Sequence, residues 1–182
     1  MALKATIFKA TIELTDLDRN VYKTENIVIA QHPSENNERL LVRLLVFALN
    51  LPDTEDHGPL EFAKDMWEPD EPALWQKDLT GNLLHWIEVG QPDERRILKA
   101  CARCERVSVY SFGPQTWWTA IANKLTRAQN LTVWQINPAQ SSALSELAQR
   151  SMSLQVTIQD GSVYVADETR SIEVTPLKLY GK

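Results

Sequence analysis

In the stretch HWIEVGQPDERRILKA, residues 85–100, an ionisable side chain, Glu88, stands between Ile87 and Val89. The run LLHWIEV reads as a strand on which Leu84, Trp86 and Glu88 share one face and Leu83, His85, Ile87 and Val89 the other, so neither face is fully polar. A carboxylate at a covered surface must meet a cation, a metal ion or several hydrogen-bond donors, because an unpartnered buried charge is too costly to persist. The plainest such partner is a structural lysine or arginine. Glu38 raises the same question on a helix that follows Ser34. At about 100° per residue it falls within about 40° of Val42, Leu45 and Leu49, while Arg39 and Arg43 point away. A late capping role accounts for Glu38 equally well. If both carboxylates face one interior region, with Asp70 or Asp78 between them in sequence, they make an oxygen-rich cage of the kind Mg²⁺ prefers, with Mn²⁺ as a substitute.

The residues after Glu88 carry the opposite charge. Pro92 suits a first helical turn and Asp93 and Glu94 suit the positive helix end, so these three need no special role. On a helix from Pro92 to about Arg106, the side chains of Arg95, Arg96, Lys99, Arg103 and Arg106 fall within about a third of the circumference, opposite Ile97, Cys101 and Cys104. An ordinary solvated face has this appearance, and so does a face that grips phosphates; its closeness to Glu88 favours the second. Cys101 and Cys104 form one C-x-x-C, read here as small core residues rather than a redox pair or half a zinc site, since His32, His57 and His85 are scattered singly. Among six tryptophans, Trp134 and one of Trp117 and Trp118 read as core, and Trp67 and Trp75 are candidates for stacking on a base.

The elements that must position these residues alternate in type. KATIFKATIELTDLD and YKTENIVIAQH predict an N-terminal hairpin, and MSLQVTIQDGSVYVADE predicts another around Asp160-Gly161, with SIEVTPLKLY as an added strand. Between them, a helix capped at Pro33-Ser34 runs to about Asn50, LEFAKDM is a strand, DEPALWQKD is a turn or short helix, and helices then alternate with the strands VSVYSF and LTVWQI. The expected architecture is α+β: a compact mixed sheet with packed helices, and antiparallel hairpins at both termini. With 182 residues and 43% hydrophobic content, one domain over 1–182 is expected, its core at about 33–150 and its hairpins at 2–31 and 152–180. The net charge of −5 does not advertise nucleic acid, so any such partner must be held by a local patch. The start lacks a charged leader and no apolar run approaches the roughly 18 residues of a spanning helix, so a cytoplasmic protein without membrane contact is expected. Nothing in the sequence fixes an oligomeric state; a monomer is compatible with it.

Several long strings, MALKATIFKA, DLDRN, HPSENNERLLVRLL, WIEVGQPDERRILKA, LTVWQI and MSLQVTIQDG, resemble the bacterial YaeQ family, and the likeness runs nearly from end to end. The resemblance implies a variant of the PD-(D/E)XK nuclease core, the framework of many restriction endonucleases. It further implies that Glu38 is the helix carboxylate, Glu88 the acidic member of a strand pair, and Asp78 or Asp70 the Asp that completes a magnesium site. Gly90 stands where the superfamily's lysine belongs. The following helix offers a replacement, and Lys99 suits water positioning better than an arginine, which does not give up its proton. Three readings follow: a Mg²⁺-dependent nuclease acting on DNA or RNA, a nucleic-acid-binding module without turnover that uses Arg39, Arg43, Arg95, Arg96, Arg103 and Arg106, and a protein-interaction domain whose Glu38, Glu88 and arginines form a buried ionic network.

Overall fold

A computed structural model describes residues 4–182. In chain order its elements are β1 (Thr6–Asp16), β2 (Val21–Gln31), α1 (Asn37–Asn50), β3 (Leu60–Phe62), β4 (Leu74–Lys77), β5 (Leu83–Val89), α2 (Glu94–Arg103) and β6 (Arg106–Ser111). They continue as α3 (Thr116–Ile121), β7 (Leu131–Gln135), α4 (Pro138–Ser145), β8 (Ser151–Gln159), β9 (Ser162–Ala166), β10 (Ser171–Val174) and β11 (Leu177–Tyr180). The fold is mixed α+β, and the described residues form two compact units, one from residues 4–53 and 139–175, the other from 54–138 and 176–182.

The first unit is built on a five-stranded sheet in the order β10-β9-β8-β1-β2. Strict alternation explains it: Phe8, Ala10, Ile12 and Leu14 of β1 and Met152, Leu154, Val156 and Ile158 of β8 are buried, while Lys9 and Glu13 face outward. Both expected hairpins form, and β1 pairs with β8 in parallel, which joins them into one sheet. That pairing is non-local and leaves no local signal. Asp16 holds the first turn, accepting from the backbone N–H groups of Asp18 and Arg19 and from Arg19 Nε at 2.6 Å. Helix α1 begins later than expected, because Asn36 rather than Ser34 caps it by accepting from the Arg39 N–H. From Leu40 to Ala48 every residue of α1 is buried, Arg43 included.

The second unit carries a six-stranded sheet in the order β11-β7-β6-β5-β4-β3, with β5, β6 and β7 parallel and the outer strands antiparallel. Two expectations change here. DEPALWQKD contains a strand, β4, because Leu74 and Gln76 bury one face and the strand pairs with β5. The strand expected over SIEVTPLKLY is split: its first half, β10, pairs with β9 and extends the C-terminal hairpin, whereas β11, beyond Pro176, pairs with β7 in this second sheet. Ile97, Ala100, Val107, Val109, Trp118, Leu125, Leu131 and Val133 form the core beneath α2 and α3.

Candidate functional site

Strand β5 presents Trp86 and Glu88 on the side covered by α2. Glu88 is 5% exposed and its Oε1 accepts from Trp86 Nε1 at 2.8 Å and from Arg96 Nε at 2.6 Å. Burial raises the Glu88 carboxyl above its ordinary value; the hydrogen bonds from Trp86 and Arg96 and the Arg96 charge oppose this, and the charge of Asp65 adds to it. Asp65 was not singled out in the sequence. Its φ of 53° lies in the left-handed region that non-glycine residues rarely adopt, in the short 3-10 turn Asp65–Trp67. That conformation is invisible to a reading of periodicity.

Helix α2 follows from local chemistry. Asp93 caps it, accepting from the Arg96 N–H at 2.8 Å, and Ile97 and Ala100 are the residues it buries. The Arg96 side chain is spent on structure: besides Glu88 it donates to the carbonyls of Pro69 and Glu71, the latter at 2.8 Å, and so ties the 65–71 segment to β5 and α2. Arg95, Arg96, Lys99 and Arg103 line a cleft of about 190 Å³ together with Pro69, Asp70, Trp86 and Ala100. Lys99 Nζ lies 3.4 Å from Asp70 Oδ1, and both side chains are mostly exposed. Four cations and one carboxylate thus border a single depression. Arg106 is not among them. The helix ends at Arg103 because Cys104 is already extended, its Sγ–H donating to the Arg106 carbonyl as β6 begins, so Arg106 leaves the stripe and sets its guanidinium 3.2 Å from His85 Nδ1.

The remaining expected residues lie elsewhere. Asp78 Oδ1 accepts from the N–H groups of Thr80 and Asn82 and from the Thr80 hydroxyl, and Oδ2 accepts from Asn82 Nδ2, so the carboxylate folds into its own turn. These bonds hold its pKa well below the usual carboxylate range. Glu38, in the first unit, accepts from the Ser141 hydroxyl at 2.6 Å. Arg43 does not point away from the core as the helical angle implied: it is 4% exposed, pairs with the buried Glu35 and donates to the Ala30 carbonyl. Arg39 pairs with the same Glu35. The physical reason is that a helix buried on all sides has no solvent face, so its arginines need an internal counter-ion, and Glu35, just before the cap, supplies it. Gly90 has φ of 119° with open space where a side chain would stand, so backbone conformation rather than crowding keeps lysine from that position.

As placed, these donors do not fit a magnesium ion. The accepting oxygen of Glu88 already holds a guanidinium, Asp78 is turned into its loop, Asp70 faces Lys99, and among the described residues no three Asp, Glu, His or Cys side chains are grouped to hold a metal.

Comparison with known proteins agrees with the resemblance. The family model for the YaeQ protein matches residues 1–176. The uncharacterised YaeQ protein of Escherichia coli strain K12 is 40% identical over 177 residues, covering 96% of this chain and 95% of the relative, and that of Salmonella typhi is 39% identical over the same span. The crystal structure of YaeQ protein from Xanthomonas axonopodis pv. citri superposes with a TM-score of 0.92 at 41% identity, covering 98% of this chain and all of that one. The YaeQ crystal structure from Pseudomonas syringae gives 0.91 at 36% identity, covering 98% and 97%. This chain belongs to the YaeQ family.

Proposed function

We propose that the chain binds nucleic acid by its phosphate backbone along the exposed side of α2. The observation that carries this reading is the convergence of Arg95, Arg96, Lys99 and Arg103 on one cleft with Asp70 as its single lining carboxylate. Glu88 neutralises Arg96 from behind, so Arg95, Lys99 and Arg103 are the cations offered to a ligand. A local basic surface on a chain of net charge −5 gives binding dominated by counter-ion release, steep in salt and indifferent to sequence. Fluorescence anisotropy of a labelled oligonucleotide titrated over a range of salt tests it. Each reversal among Arg95→Glu, Lys99→Glu and Arg103→Glu lowers the salt slope by about one, and the triple variant abolishes binding. Unchanged affinity in the triple variant removes the reading.

Metal-dependent hydrolysis of phosphodiesters is the second reading, favoured by one observation, the buried Glu88 carboxylate held by Trp86 and Arg96 at the wall of the basic cleft. A divalent cation needs further oxygen donors beside Glu88, and Arg96 stands on Glu88, so that pair would have to part first.

A further inference from the structure

We propose that this site takes single-stranded nucleic acid, with the backbone on α2 and a base stacked on Trp75. The inference rests on the phosphate-binding reading above and adds the state of the strand that is bound.

The side of the sheet covered by α2 carries a row of alternating cations and rings that ends at the basic cleft. Lys77 Nζ stands 3.8 Å from the Trp75 ring centroid, Trp75 meets Trp86 edge to face at 6.2 Å and 65°, and the Arg103 guanidinium lies 5.7 Å from the Trp86 ring centroid. Trp86, 3% exposed, is fixed by its hydrogen bond to Glu88 and lines the cleft. Trp75 is half-buried, rooted in the core on one side, and Lys77 covers its face with a charge on a flexible stem.

Such a face suits exchange. A base that stacks on Trp75 takes the place of the ammonium, and Lys77 then turns to the phosphate next to that base, so one movement supplies a stacking partner and a backbone contact. Arg103 meets the other ring of the row and belongs to the cleft that holds the backbone. In a duplex the bases are stacked on each other and present no open face. A single strand can turn a base outward, and stacking of this kind tolerates any base. The ligand chemistry is therefore an unpaired, poorly discriminated nucleotide strand, deoxy or ribo.

Anisotropy titrations with labelled oligothymidine, oligouridine and a DNA duplex of equal length, all at low salt, test the proposal. Either single strand binds more tightly than the duplex, and the tighter of the two identifies the source as DNA or RNA. Trp75→Leu lowers single-strand affinity by about tenfold, leaves duplex affinity within about twofold, and removes part of the tryptophan quenching seen on binding. Trp75→Phe, which keeps a ring, recovers most of the loss. Retained duplex binding is the control that each variant is folded. If the single strands and the duplex bind alike and Trp75→Leu changes neither, the stacking proposal is overturned while the phosphate-binding reading stands. If no polymer binds the wild-type chain, both are overturned.

Discussion

Glu88 and Arg96, eight residues apart in sequence, are joined at 2.6 Å where β5 passes under α2, and the same guanidinium reaches the backbone of Pro69 and Glu71. One side chain therefore closes a strand, a helix and a connecting segment around the basic cleft. The carboxylate that looked anomalous in a strand pattern is the anchor of that closure.

Removing Arg96 leaves Glu88 charged and unpaired in a covered position. Arg96→Ala is expected to cost about 3 kcal/mol in urea unfolding at neutral pH, the low end for a buried pair because the guanidinium is about a third exposed. In Glu88→Gln/Arg96→Ala, at least half of that loss is recovered, since no buried charge remains. Strictly additive single and double variants would show that the two side chains do not act as a pair.

His85 is expected to make the second unit sensitive to acid. It is 3% exposed, with Nε2 at 2.8 Å from Ser108 Oγ and Nδ1 at 3.2 Å from Arg106. A guanidinium only donates, so Nδ1 accepts and the Nε2–H faces Ser108. Burial, and then the Arg106 charge, hold its pKa down to about 3. A folded value below the ordinary 6.5 means that the unfolded chain takes up the proton first, so stability is full above about pH 6.5 and is lost as pH falls toward 3. The loss between pH 7 and pH 4 from this group is on the order of 3 kcal/mol. Urea midpoints across that range should fall more steeply in the wild-type chain than in His85→Gln, and parallel curves would refute the assignment.

The displaced arginines separate stability from binding. Arg43→Ala leaves the buried Glu35 with Arg39 alone and is expected to cost about 2 kcal/mol, read by urea unfolding, without altering the salt slope of nucleic-acid binding. Arg106→Ala, off the helix, leaves oligonucleotide affinity within about twofold. A tenfold loss from Arg106→Ala would return that residue to the interface.

Arg96 on Glu88 also predicts a weak response to metal. Millimolar Mg²⁺ or Mn²⁺ raises the melting temperature of the wild-type chain by less than about 1 °C. A larger shift that Glu88→Gln abolishes would establish the hydrolytic reading instead.

Asp78 should behave as a turn residue. Asp78→Ala is expected to speed amide exchange at Thr80 and Asn82, whose N–H groups it accepts, while leaving oligonucleotide affinity unchanged. Unaltered exchange at both amides would contradict the assigned cap.

Local chemistry determined much of this protein in advance. Alternation defined β1, β2, β8 and β9, Asp160-Gly161 the second hairpin, and the order of charges after Gly90 the basic helix, because each depends on residues within a few positions of one another. The need of Glu88 for a partner was also legible, since burial of a charge is a property of the strand pattern. Which partner it takes was not, because Arg96 reaches it only when α2 folds back on β5. The parallel pairing of β1 with β8, the passage of β11 to the second sheet and the burial of Arg43 all arise from contacts far apart in sequence. Periodicity along the chain records which side of an element is covered; only the tertiary structure decides what covers it, and at this site that choice placed an arginine on the carboxylate and left the other cations of the helix around an open cleft.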